Sequence, residues 1–134
     1  MSPLASNALA IITSGYKNRR LLVRVKKSKL IIQILNLFYY NGFIRGFSFS
    51  VDSPYEIVVF LKYVDSKPVL KKFQILSSGT RRTYCKSPYI LNRLVNNGLY
   101  VLSTSQLGLI TSLNLLSLRR TFKIGGELFF KILL

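Results

Sequence analysis

The sequence predicts an α/β (α+β) protein built as two small lobes. Three observations carry that expectation. In the first half, helical spacing of apolar residues alternates with strand spacing, and each helical stretch opens on a capping serine. In the second half, short apolar runs separated by Gly, Ser and Asn dominate, leaving room for one or two short helices. The chain of 134 residues is 49% hydrophobic, enough to bury a core and too much for a disordered segment. The element order reads αβαββ over residues 1–66, then mostly β over residues 67–134.

The first helix opens with Ser2 as N-cap and Pro3 at the first helical position. Leu4, Ala8, Ile11 and Ile12 form its apolar stripe, Gly15 is its expected stop, and Tyr16–Arg20 reads as a basic turn. Leu21 to Lys26 alternates: Leu21, Val23 and Val25 face one way, and Leu22, Arg24 and Lys26 the other. Ser28 can cap a second helix from Lys29 to Asn41, with Leu30, Ile31, Ile34, Leu35 and Phe38 buried. Gly42 supplies its left-handed stop. No charge falls between Lys29 and Arg45, so this helix is expected to pack on more than one side.

Phe43–Val51 and Glu56–Tyr63 read as a hairpin turned by Asp52-Ser53-Pro54. Asp65-Ser66-Lys67-Pro68 marks the break between lobes. Val69–Leu76 is the next strand, Ser77–Thr80 a turn, and Arg81–Lys86 a short strand holding Tyr84 and Cys85. Ser87-Pro88 repeats the first helix-opening device, for a helix that Gly98 ends. The apolar run Leu99–Leu102 reads as a core strand that delivers a hydroxyl loop, Ser103-Thr104-Ser105. Leu109-Ile110 resumes as strand. Thr111 or Ser112 can cap a short helix ending near Arg120, and Gly125-Gly126-Glu127 turns into a last strand, Leu128–Leu133.

Charge narrows the function. Lys and Arg number 20 against four acids, a net +16. The cations are spread along the chain, twelve from Lys17 to Lys72 and eight from Arg81 to Lys131. Such self-repulsion points to a polyanionic partner touched on several sides, the alternative being a solvated basic surface. The chain has no histidine, one cysteine and four scattered carboxylates. Cys85 cannot close an intramolecular disulfide, and a metal site, a cofactor or catalytic chemistry is not expected. A nuclease would need clustered carboxylates, which Asp52, Glu56, Asp65 and Glu127 do not form along the sequence. Residues 94–118 carry no charge and are long enough to span a bilayer, so a small basic membrane-associated protein anchored there is the rival reading. Its many Asn, Ser, Thr, Gln and Gly residues make a span unexpected.

Within this frame, packed hydroxyls read as donors to phosphate, sugar or base edges. Glu127 is the lone acid of the second half. The residues alone allow an exposed turn acid as readily as one reading an RNA donor such as a 2′-hydroxyl. Tyr84 fits base stacking and strand packing equally.

Four local patterns together resemble one family, small-subunit ribosomal protein eight. They are Pro3-Leu4-Ala5; Ser28-Lys29-Leu30 followed by Gly42 through Phe47; Ser77-Ser78-Gly79-Thr80-Arg81-Arg82-Thr83-Tyr84; and Gly98 through Ser105 with Gly125-Gly126-Glu127. Each is weak alone, and their joint order spans nearly the whole chain. The chain departs from the family pattern by an extra Leu107 and a longer, leucine-rich segment from Ser112 to Ile124.

The resemblance implies a structural constituent of the small ribosomal subunit, not an enzyme, with no cofactor and no small-molecule substrate. It implies binding to a central-domain helix of small-subunit rRNA, a role in subunit assembly, and neighbouring small-subunit ribosomal proteins as further partners. Carried over by motif, Ser103, Thr104 and Ser105 enter the RNA groove with Glu127 beside them. Tyr84, Arg81, Arg82, Lys86, Arg119 and Arg120, with Lys123, are the remaining candidates of the second lobe. Lys27, Ser28 and Lys29 are those of the first. A composition rich in Phe, Tyr, Leu, Ile, Ser and Asn, and an opening that does not read as a cleavable presequence, place the expected ribosome in the mitochondrion. A plastid and the bacterial cytoplasm are the alternatives.

Overall fold

The computed structural model describes residues 3–77, 82–85, 99–104, 108–111 and 126–133. The chain divides into two compact units, Pro3–Lys71 and the chain from Lys72 onward.

The first unit runs α1 (Pro3–Lys17), β1 (Leu22–Lys26), α2 (Lys29–Tyr40), β2 (Ile44–Phe49) and β3 (Glu56–Leu61). The strands form an antiparallel sheet of order β1-β3-β2, in register Val23 against Val59 and Val25 against Ile57. Val23 and Val25 are buried as the alternation requires, whereas Leu21 lies outside the strand and is exposed. The α1 stripe is Ala5, Ala8, Leu9, Ile12, Gly15 and Tyr16; Ile11 is exposed. Gly15 does not stop the helix. A Cβ there would sit 2.5 Å from Val23 Cγ1, so the missing side chain serves the approach of α1 to β1. The helix ends two residues later at Lys17, and the turn beyond it has Arg19 at φ 57°, with the Arg20 and Arg19 amides donating to the Gly15 and Tyr16 carbonyls.

Ser28 caps α2 as expected, accepting from the Ile31 amide at 3.1 Å. Gly42 at φ 76° closes the other end, where the Phe43 and Gly42 amides donate to Phe38 and Tyr39 carbonyls. Phe43 packs edge-on against Phe38, 6.2 Å between centroids, the apolar contact that usually accompanies this cap. The buried face is Ile31, Ile34, Leu35 and Phe38, with Leu30 half-buried. The outer face is uncharged yet open, ending in exposed Tyr39 and Tyr40. Packing on several sides is therefore not what removes charge from this helix.

Asp65 and Ser66 both take positive φ and turn a small hairpin, β4 (Tyr63–Val64) with β5 (Lys67–Pro68). Arg19 donates to the Ser66 carbonyl and Tyr63 to that of Arg20, so the hairpin is tied to the end of α1. The expected break is thus a turn inside the first unit.

The second unit is an antiparallel sheet gathered on β10 (Gly126–Leu133). On one edge, β10 pairs with β8 (Leu99–Thr104), which carries β9 (Gly108–Thr111) outside it. On the other edge it pairs with β7 (Tyr84–Cys85) at its start and β6 (Lys72–Ile75) at its end. Tyr100, Leu102, Ile110 and Leu128 pack together on one face, with Leu76 against them. No described helix is long and apolar enough to cross a membrane. Residues 99–104 and 108–111 are paired strands, so residues 94–118 do not make one helical anchor.

Candidate nucleic-acid interface

Strand alternation decides which polar groups can act together. Leu99 to Leu102 is a buried run, and β8 continues through Ser103 and Thr104 instead of breaking into a loop. Successive side chains of a strand point to opposite faces. Thr104 therefore shares the face of Tyr100 and Leu102, is buried, and donates from Oγ1 to the Gly108 carbonyl at 2.9 Å. Ser103 points the other way and is half-buried. The expected hydroxyl triplet is split: Thr104 bonds across to the start of β9, Ser103 stays on the candidate surface, and Ser105 lies outside the described residues.

Glu127 is the hub of that surface. It belongs to β10, not to a turn before it, and is paired with Tyr84 on one side and Ser103 on the other. Directly opposed residues of antiparallel strands share a face, so Tyr84, Glu127 and Ser103 form one row across three strands. Tyr84 is 61% exposed. The Glu127 side chain is 15% exposed, with Arg82 Nε 3.9 Å from its Oε1. The Arg82 guanidinium is held above its ordinary pKa first by its hydrogen bond with Tyr84, then by the charges of Tyr84 and Glu127. A sunken carboxylate acceptor, a hydroxyl and an open aromatic ring are thus lined up beside an exposed cation. That set can accept from a ribose or base donor, donate to an acceptor and stack a base.

Two residues build the row without standing in it. Gly126 lies opposite Cys85 in the ladder, and a Cβ on it would overlap the Ser103 carbonyl oxygen. Ser77, read from the sequence as the start of a turn, is fully buried. Its hydroxyl donates to the Leu128 carbonyl at 2.6 Å and accepts from the Thr83 amide at 2.8 Å. The Leu128 amide in turn donates to the Thr83 carbonyl at 2.8 Å. One serine therefore staples the Tyr84 segment to β10. The sequence marked the stretch it opens but not this role, because a buried serine and a turn serine look alike until the partners are known.

The other candidates divide. Arg81, Lys86, Arg119, Arg120 and Lys123 lie outside the described residues. In the first unit, Ser28 is committed by its lone pair to the α2 cap, with its proton still free to donate. Lys27 lies over the Phe49 ring, 4.8 Å from its centroid, and Lys29 is exposed. Among the described residues no three His, Cys, Asp or Glu converge as a metal site would require.

A sequence model of the ribosomal protein S8 family matches residues 3–133. Small ribosomal subunit protein uS8m of Acanthamoeba castellanii is 37% identical over 131 residues, covering 96% of this chain and 98% of that protein. Small ribosomal subunit protein uS8 of Buchnera aphidicola subsp. Baizongia pistaciae is 30% identical, covering 94% and 92%. The uS8 of Wigglesworthia glossinidia brevipalpis is 28% identical, covering 92% and 91%.

Proposed function

The chain belongs to the ribosomal protein S8 family, and from that premise we propose that it is a non-enzymatic constituent of the small ribosomal subunit that binds the subunit's rRNA. Its target is a helix of the central domain, and binding there supports subunit assembly beside neighbouring ribosomal proteins. The observation that carries this reading is the Tyr84–Glu127–Ser103 row in a chain of net charge +16. A carboxylate facing a polyanion is costly unless it accepts from an RNA donor, and here it sits in a fixed, half-sunken strand position between a hydroxyl and an open ring. Lysines and arginines supply affinity by displacing counterions, while the row supplies position. The mitochondrial ribosome is the proposed location, supported by the uS8m relative and by the Phe-, Tyr-, Leu-, Ile-, Ser- and Asn-rich composition.

The test is a salt titration of the full chain on a central-domain helix with its internal loop, against the same helix fully base-paired. The looped helix is expected to bind more tightly at every salt concentration. Glu127→Ala is expected to lower that affinity by about 1–3 kcal/mol, as for loss of a charged hydrogen bond, while leaving the paired duplex unaffected. Equal binding of both RNAs by the unaltered chain would overturn the reading.

A further inference from the structure

Resting on that rRNA-binding reading, we infer that a cleft at the C-terminal end of α2 is a second RNA site, which stacks an unpaired base and neutralises its phosphate. The cleft measures about 500 Å³ and is lined by Tyr39, Tyr40, Gly42, Ile44, Arg45 and Lys62. All of them belong to the first unit, whereas the Tyr84–Glu127–Ser103 row belongs to the second.

The two tyrosines have no role in the core. The buried face of α2 is complete without them, and they are 54% and 84% exposed. Their centroids lie 6.0 Å apart with the planes inclined by 66°, so neither ring covers the other and a face remains for a third flat group. At the end of the helix the Phe38, Tyr39 and Leu37 carbonyls accept from the Phe43, Gly42 and Asn41 amides. The charge of the cleft comes from Arg45, exposed on β2, and from Lys62. The Lys62 ammonium lies 3.4 Å from where a Cβ on Gly42 would stand, and the Lys62 amide is fastened to the buried Tyr16 hydroxyl at 3.2 Å. The φ of Gly42 ends the helix, and the ammonium lies beside that turn.

Two open rings, two cations and no lining carboxylate match a nucleotide. A ring face stacks any base, and the cations take the phosphate. A basic protein segment would be repelled by Arg45 and Lys62, so RNA is the occupant that fits the charge.

Binding of the full chain to the central-domain rRNA, with its unpaired nucleotides retained, is the test. Replacing Tyr39 and Tyr40 together by Ala is expected to weaken binding about tenfold, the scale of one lost base stack. Tyr40→Phe keeps the ring and is expected to bind like the unaltered chain. Lys62→Gln is expected to reduce the salt slope by about one, and photocrosslinking is expected to join RNA to the peptide containing Tyr39 and Tyr40. Glu127→Ala, run in parallel, separates the failures. If it loses affinity while the double tyrosine variant binds normally and no crosslink reaches that peptide, the cleft is not an RNA site and the rRNA reading stands. If the unaltered chain shows no preference for this RNA, both fall. Normal binding of naked rRNA by the double variant, with loss of a neighbouring ribosomal protein from reconstituted subunits, also overturns the inference and makes the cleft a protein dock.

Discussion

Tyr16 hangs two backbone partners on one buried hydroxyl. It donates to the Phe43 carbonyl at 2.5 Å and accepts from the Lys62 amide at 3.2 Å, joining α1 to the end of the β2–β3 pair where Ile44 lies opposite Leu61. Tyr63 meets its ring edge-on at 5.5 Å. Burial raises the Tyr16 phenol above its ordinary value, outweighing the Lys62 hydrogen bond that lowers it. An unfolded tyrosine ionises near pH 10. The folded state therefore holds this proton more tightly, so its contribution is full below about pH 10 and is lost as pH rises through the folded value. Tyr16→Phe is expected to cost about 1–3 kcal/mol at neutral pH, by stranding a buried carbonyl and amide. Urea unfolding of the variant is also expected to show a smaller decline between pH 8 and pH 11. A decline as steep as that of the unaltered chain would shift the alkaline sensitivity to Tyr63, whose phenol burial also raises.

At the scale of elements, contacts between helices and strands are set by small residues where larger ones look permissible. Ala is the better helix former, yet Gly15→Ala is expected to destabilise the protein by about 1–3 kcal/mol, because the new methyl meets the Val23 side chain. A melting temperature at or above that of the unaltered chain would show that β1 moves aside freely. Ser77→Ala is a different kind of loss. It strands the Thr83 amide and the Leu128 carbonyl, so a comparable cost in stability is expected together with weaker cognate RNA binding, since Tyr84 is the next residue along. Cognate binding unchanged under conditions where the variant is folded would show that the staple does not position the row. Ser28→Ala removes only the α2 cap and is expected to cost about 1 kcal/mol, read as a shift in the urea midpoint.

For the whole molecule, the relevant quantity is how its charge is shared between affinity and position. Of the four acids, Glu56 lies 3.6 Å from Arg24 and Glu127 lies 3.9 Å from Arg82, so two of the few negative charges already face cations. The remaining cations are spread over both units. A steep fall of rRNA affinity with salt is expected, and each phosphate-contacting lysine or arginine removed should shallow it by about one unit. Lys29→Ala is expected to do so without changing the preference for the looped helix. A salt slope that does not move would return Lys29 to the solvated surface.

Several features are local, and so legible in the residues alone. The Ser28 cap, the Gly42 stop, the αβαββ order of the first unit and the period-two burial of β1 each depend on neighbours within a few positions. The polyanion-directed charge is a matter of composition. The resemblance carried the S8 family, because motifs in the right order survive where single residues do not. The site itself depends on pairings far apart in the chain. A run of Ser-Thr-Ser does not say where a strand ends, and two residues more of β8 send Ser103 and Thr104 to opposite faces. Glu127 could be a turn acid or a strand hub until β7 and β8 were found on either side of it. Gly15 and Ser77 read as a stop and a turn, yet one makes room for Val23 and the other holds Thr83 to Leu128. Capping and alternation act through the nearest peptide bonds, which the sequence alone determines. Register and close approach act through residues brought together only by the sheet, and those the tertiary structure decided.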